Sequence, residues 1–518
     1  MKRHFYLIVI VLAAMSMVLW SCNKNIIDHT TQYPSLNPSN LDLNADAWKP
    51  VLLTGFSDLS VSPPDAVTSP AYQADLNEIK AYQTTLTADQ KSAIQYWSAG
   101  AILRWNEILR DLVAKHNIPP YQNEDGTYPA PSSANPFAYP QFPFSNPPYA
   151  ARSYAYVSAA QYDALIAAWH FKKQYNRLAP YKNDAGVQAL VPKTNLPSYP
   201  SEEAVAAGTA IELLKLLFPT EIAYIEQKES EEKAAAIMSG ANTRTDWDAG
   251  ESLGKQVASK FTARARTDHA GTAGGNPTIW TQLITQTAAT GQTPWKSLEL
   301  PSRPPMLPLF NKVKPFLFDS LTVIALRPGP PPSTSSDQFK KETQEVLYYS
   351  NNVTREHNAQ VAFWADGAAT STPAGHWDAI AADEFVKQNY SEVRWARNMA
   401  LLNMALMDAA IVCWDTKYYY FNPRPTQIDL NIKTLTGIPN FPSYSSGHSN
   451  FSAAAAAVLT YLLPDRGTKF TDLAHEAAMS RLYGGIHYRT DVEVGLVTGA
   501  KVGQYAVQRA KSDGADSN

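Results

Sequence analysis

Apolar residues recur three and four apart over long stretches of this chain, the spacing that gives a helix one buried face. The pattern predicts helices over 92–116, 150–171, 201–217, 220–239 and 246–266 in the first part of the sequence. It predicts more over 336–349, 355–365, 377–390, 393–417, 449–463, 469–483 and 491–510 in the second. No segment of useful length alternates apolar and polar residues as a half-buried strand would. The expected class is all-α, as two packed helical bundles, and no internal repeat shows along the letters.

Proline interrupts the pattern in two places. Residues 118–149 hold nine prolines and residues 301–332 hold another nine, so both read as long loops. The whole of 271–335 looks loop-like, and a proline-rich belt inside a helical protein is expected to wrap across surfaces and close a cavity. The expected organisation is an irregular tether over 23–80 and a helical bundle over 81–300. A belt over 301–335 then leads to a second bundle over 336–512 that carries the chemistry.

Composition changes little in this picture. The 518 residues carry a net charge of −3, which gives no electrostatic footprint for nucleic acid. The N-terminus adds an address. Lys2 and Arg3 precede an apolar stretch from Phe5 to Trp20, too short for a comfortable membrane span. Leu19-Trp20-Ser21-Cys22 resembles a bacterial lipobox closing a signal segment over 1–22, with Cys22 as the residue lipidated after cleavage. Only Cys413 would then remain, so no internal disulfide is expected. No later segment has 18 uninterrupted apolar residues, so a body tethered to a membrane only by its lipid is expected in the bacterial envelope, periplasmic or outer-membrane associated. Homo-oligomerisation is left open.

Three clusters near the C-terminus carry the chemistry. The first is Lys417 with Arg424, where Pro423 and Pro425 bracket the arginine and hold it extended after a helix end. The second is Ser446-Gly447-His448, a turn opening a helix, which offers a hydroxyl and free backbone N–H groups to an anion. The third is Arg481, His487 and Asp491. Gly484-Gly485 breaks the helix between Arg481 and His487 so that both can face one centre, and Asp491 lies within reach of the imidazole Nδ1. A carboxylate there would leave Nε2 unprotonated. Thr490 with Glu493 reads as a capping box that would fix Asp491 in a first helical turn.

Taken together, K-x6-R-P, S-G-H and S-R-x5-H-x3-D resemble the signature shared by vanadium-dependent haloperoxidases and the phosphatidic acid phosphatase type 2 superfamily. Phe363-Trp-Ala-Asp-Gly367, Gly375-His-Trp377 and the proline belt also resemble the bacterial haloperoxidase group, over roughly residues 80–512. The usual proline before the serine is replaced here by Ser445, which is expected to loosen the turn. The resemblance implies that Lys417, Arg424, Arg481, Ser446 and the Gly447 amide bind an oxyanion. It implies His487 as axial ligand to vanadium or as nucleophile toward phosphorus, His448 as the acid–base group, and Asp491 as the group that orients His487. Expected first is vanadate-dependent oxidation of halide by hydrogen peroxide. The alternative is an acid phosphatase acting on phosphate esters without a cofactor. A third reading, a non-catalytic ligand-binding envelope lipoprotein, predicts a decayed cage, whereas every cage residue is present. His376 reads as a supporting residue rather than a ligand, and His357 as solvated.

Overall fold

The computed structural model describes residues 33–117, 146–298 and 302–516. Cys22 with its leader, and most of the first proline-rich stretch, lie outside the described residues. Within them every extended element is a helix, and a single isolated bridge joins Leu178 to Pro197. The chain begins with α1 (Pro70–Thr84), α2 (Ala88–Trp97) and α3 (Ala101–His116). The first bundle continues with α4 (Pro147–Tyr175), α5 (Glu202–Leu217), α6 (Ile222–Met238), α7 (Arg244–Ala265) and α8 (Pro277–Ala289). The second is built from α9 (Asp337–Asn351), α10 (Arg355–Phe363), α11 (Thr372–Phe385) and α12 (Glu392–Tyr420), followed by α13 (Gly447–Leu462), α14 (Lys469–Tyr483) and α15 (Arg489–Ala510).

Several boundaries differ from the periodic pattern. The stretch 92–116 is two helices, because Gly100 at φ 118° caps α3 and a Cβ there would meet the Glu392 carboxylate at 3.0 Å. Helix α1 starts inside the expected tether, with Ser69 as N-cap and Pro70 in its first turn. Helix α8 lies within the expected loop, capped by Asn276 ahead of Pro277. Most of its residues are exposed, so it has no apolar stripe to announce it.

The two bundles share one hydrophobic cluster, which contains residues from α3 to α15. Its axis is the pair α4 and α12, packed against each other. Both helices are 29 residues long, and their starts are 245 residues apart (392 − 147). That offset holds through the rest of both halves. Helices α5 and α13 each have 16 residues and a serine N-cap, Ser201 or Ser446. Helices α7 and α15 each have 22. The left-handed caps Asn176 and Phe421, and the left-handed Gly240 and Gly485, also fall on it. So do backbone bonds: Leu190 N–H to Ser239 O matches Leu435 to Gly484, and Ser201 to Asp246 matches Ser446 to Asp491. The repeat is one of backbone, with most side chains changed, which is why the letters do not display it.

Buried carboxylates in the middle of the long helices fasten the irregular segments, the belt among them. Asp408 accepts from the Phe316 and Leu317 amides, while the equivalent Asp163 accepts from Val51, Leu52 and Leu53. Tyr418 and Tyr420 donate to the Met306 and Pro328 carbonyls, so this aromatic run also holds the belt. Helix α12 is the one described helix long and apolar enough to cross a membrane, and its apolar window is fully buried inside the protein.

Candidate active site

Helix α15 packs on α13 through Gly495, Gly499 and Gly503. A Cβ at these positions would lie 3.0, 2.2 and 2.7 Å from backbone oxygens of Ser446, Asn450 and Ala454. This contact brings the first turn of α15 against the start of α13, and so Asp491 against the Ser446–His448 turn. Asp491 Oδ2 accepts from the Tyr488 amide at 3.2 Å, making Asp491 the N3 group that caps this helix. The expected Thr490–Glu493 box does not form. Thr490 bonds Glu342, and Glu493 pairs with Arg489.

Asp491 Oδ2 lies 2.9 Å from His487 Nδ1 and accepts from the Ser443 hydroxyl at 2.5 Å. His487 is buried, and burial followed by the charges of Arg424, Lys417, His448 and Arg481 holds its pKa well below the ordinary value. The imidazole is therefore neutral near pH 7, with its proton on Nδ1 facing the carboxylate. Nε2 then carries the lone pair, 3.1 Å from Arg424 Nη1, which donates to it.

Arg424 is extended after Pro423 and fully enclosed. Its remaining donors reach Phe441 O at 3.0 Å, Ile486 O at 2.7 Å and Pro442 O at 3.4 Å. Lys417 Nζ donates to the Pro442, Ser443 and Ser445 carbonyls at 2.8, 2.9 and 2.6 Å. Its three protons are thus engaged with the loop that leads into α13. Ser445, where proline was expected, is tied down by this bond and by Asn450 Nδ2 on its hydroxyl, so the loop is held without proline. Ser446 caps α13, its hydroxyl accepting from the Ser449 amide at 3.4 Å.

A cavity of about 300 Å³ opens in front of this cluster. Arg481, His487, His448 and Gly447 line it, beneath apolar walls that include Met306, Trp414, Phe441 and Phe451. Lys417, Arg424, Ser446 and Asp491 stand behind that wall. Nothing lies within 4 Å of where a Gly447 Cβ would be, so the missing side chain is open space beside the first amides of α13.

Asp366, within the stretch Phe363–Gly367, supports the second histidine. It lies 3.2 Å from His448 Nε2 and 2.9 Å from His376 Nδ1. The His448 contact is within ion-pair distance but misaligned for a hydrogen bond, so Nε2 has no bonded partner. Burial and then Arg481 lower the His448 pKa, against the pull of Asp366. Burial favours the neutral form of Asp366, but the hydrogen bond to His376 and the close approach of His448 outweigh this and keep it ionised. His376 stacks on Trp364 as part of this support. His357 is half-buried and stacked on Tyr483 at 3.9 Å, not solvated.

The cluster is short of negative charge. Burial, the largest influence on each, pushes Lys417 down to about 7 and both Arg424 and Arg481 down to about 10. Asp491 is the one carboxylate among these four, itself pushed up to about 6 by burial. An oxyanion in the cavity would supply the missing charge to donors already in place.

Residues 398–512 match the model of the PAP2 superfamily. The structure is similar to that of a bacterial vanadium-dependent iodoperoxidase, with a TM-score of 0.57 and 25% identity over 79% of this chain and 96% of that one. It also resembles a holo-type bacterial vanadium-dependent chloroperoxidase, with a TM-score of 0.51 and 15% identity over 71% and 92% of the two chains. No curated protein matches the chain by sequence. The C-terminal part of the chain thus matches the PAP2 superfamily, the overall helical fold is similar to that of bacterial vanadium-dependent haloperoxidases, and these relatives are enzymes.

Proposed function

We propose that this protein is a vanadium-dependent haloperoxidase that oxidises halide with hydrogen peroxide. The observation that carries the reading is the buried cluster of cations around a neutral, cavity-lining histidine whose Nε2 accepts from Arg424. The donor set fits vanadate. His487 Nε2 would hold the metal, Arg424, Arg481 and the first amides of α13 would take its oxygens, and Lys417 would contribute charge while clamping the 442–445 loop. When bound, vanadate activates hydrogen peroxide for attack by halide.

The residues of the chain supply the rest. Asp491 fixes the tautomer of His487, so that the lone pair always points inward. His448, neutral and with Nε2 unbonded, takes up or returns a proton at the cavity face, and Asp366 stabilises the charge it gains. The apolar walls keep bulk water from the site and leave room for small reactants. Support for the peroxidase over its alternative comes from the similarity to the iodoperoxidase, which extends through both halves.

The same pair could act as an acid phosphatase, with His487 Nε2 attacking phosphorus and His448 protonating the leaving oxygen. The neutral, carboxylate-backed His487 favours this second reading equally. One pair of assays separates them. Bromide or iodide oxidation by peroxide, stimulated by orthovanadate and accompanied by negligible hydrolysis of a chromogenic phosphomonoester, is the expected result. Phosphomonoester hydrolysis that vanadate inhibits would replace the first reading with the second. The lipid tether at Cys22, and with it the envelope location, is proposed on the N-terminal pattern alone.

A further inference from the structure

The 245-residue offset places a counterpart of the active site in the first half. A cavity of about 140 Å³ there is lined by Lys172, Ser201, Glu202, Glu203, Asn242 and Glu392, among others. Lys172 corresponds to Lys417 and makes the corresponding bonds, to Pro197 O at 2.5 Å and Pro200 O at 3.3 Å. Asp246 corresponds to Asp491 and caps α7 as Asp491 caps α15, accepting from the Thr243 amide at 2.7 Å. Even the walls are exchanged between the halves. Pro147, at the start of α4, lines the second cavity, and Glu392, at the start of α12, lines the first.

The anion-binding side chains are gone from this copy. Ala179 and Ala236 stand where Arg424 and Arg481 are, Glu203 replaces His448, and Asn242 replaces His487. One position reverses in the opposite sense. Where the second half has Gly447, with open space at its Cβ, the first has Glu202. The Glu202 carboxylate lies 3.5 Å from Lys172 Nζ and accepts from Trp169 Nε1 at 2.9 Å. Trp169 is the counterpart of Trp414, a wall of the active cavity. The neighbouring carboxyls contribute little charge. Burial and then nearby glutamates push Glu203 up to about 7 and Glu392 up to about 8.

We infer that Glu202 is a built-in anion: the first half folds around its own carboxylate where the second half is open to an exchangeable oxyanion. Glu202 enters the first cavity from the helix position that Gly447 leaves empty in the second, and pairs with the one cage cation retained there. Removing its side chain should therefore create a site for a small monocarboxylate such as formate, bounded by Lys172 and Trp169. The inference borrows the oxyanion reading of the second half only as its parallel. The test reads the first half alone, so either can fail without the other.

The test is thermal unfolding of the full chain in sodium formate or sodium chloride of equal ionic strength, for wild type, Glu202→Gly and Glu202→Gln. In chloride both variants should unfold at lower temperature than wild type, because Lys172 is left buried without its partner. Formate should raise the midpoint of Glu202→Gly saturably. It should leave wild type and Glu202→Gln unchanged, since the glutamine fills the space. The inference is overturned if formate rescues no more than chloride does, or if it stabilises all three proteins alike. Should Glu202→Gly not fold, Glu202→Gln decides alone: a midpoint equal to wild type overturns the inference.

Discussion

The halves 147–265 and 392–510 have one backbone and two electrostatic designs. In the first, two buried cations are matched by carboxylates within the chain: Lys172 by Glu202 and Arg177 by Asp246. In the second, Lys417, Arg424, Arg481 and His487 are gathered at a cavity beside Asp491 and Asp366, and burial above all lowers their affinity for protons. Equivalent positions thus carry stability in one half and unfilled binding capacity in the other. The contrast teaches that this scaffold does not itself dictate chemistry. A handful of side chains at helix starts and in one loop do so.

The contrast can be broken one position at a time. Largest in effect is His487→Ala, which should lower turnover on the order of 10³-fold or more by removing the group that faces the reacting centre. The matching Asn242→Ala should leave turnover at the wild-type level, as steady-state assays of both variants would show. Equal losses would mean that the first half also takes part in the reaction.

The two equivalent aspartates come next. Asp246→Asn strands the buried Arg177 guanidinium and should cost about 3–5 kcal/mol in denaturant unfolding. Asp491→Asn releases the tautomer of His487 and should lower activity by roughly 10- to 100-fold. A reversal, with Asp246 needed for activity and Asp491 only for stability, would undo the assignment of the halves.

The smallest effect is a pH dependence of anion affinity. Burial pushes Lys417 down to about 7, which leaves it largely neutral above that pH. A bound anion favours its charged form, so binding takes up a proton. Affinity for tungstate, which does not itself titrate in this range, should therefore fall as pH rises above about 7, by at most about tenfold per unit. Calorimetric titrations in buffers of different ionisation heat would measure the uptake. Affinity that rises with pH would have the wrong sign.

Much of the second half was legible in the sequence because its chemistry is local. The Pro423/Pro425 bracket does extend Arg424, Gly484-Gly485 does end α14, and the i, i+4 spacing does bring Asp491 to His487. What escaped is tertiary. The duplication conserves lengths and caps while exchanging side chains, so no pattern of letters reveals it. Asp366 reaches His448 across 82 residues (448 − 366), and only the packing of α11 near α13 brings them together. The engagement of Lys417 with three carbonyls depends on where the 442–445 loop is laid, which spacing does not encode. Helix α8, capped by Asn276 ahead of Pro277, lies in a stretch that reads as loop because it has no apolar stripe to give a periodic signal.

The central claim is that the second half holds one exchangeable oxyanion on His487 and the first half holds none. Equilibrium dialysis of the purified chain against orthovanadate tests it most directly, comparing wild type with His487→Ala, Arg481→Ala and Asn242→Ala. The account predicts one vanadate per wild-type chain and per Asn242→Ala chain. It predicts binding weakened by about 2–5 kcal/mol in Arg481→Ala and severely reduced in His487→Ala. Two sites per chain, or tight binding that survives the loss of both His487 and Arg481, would contradict it.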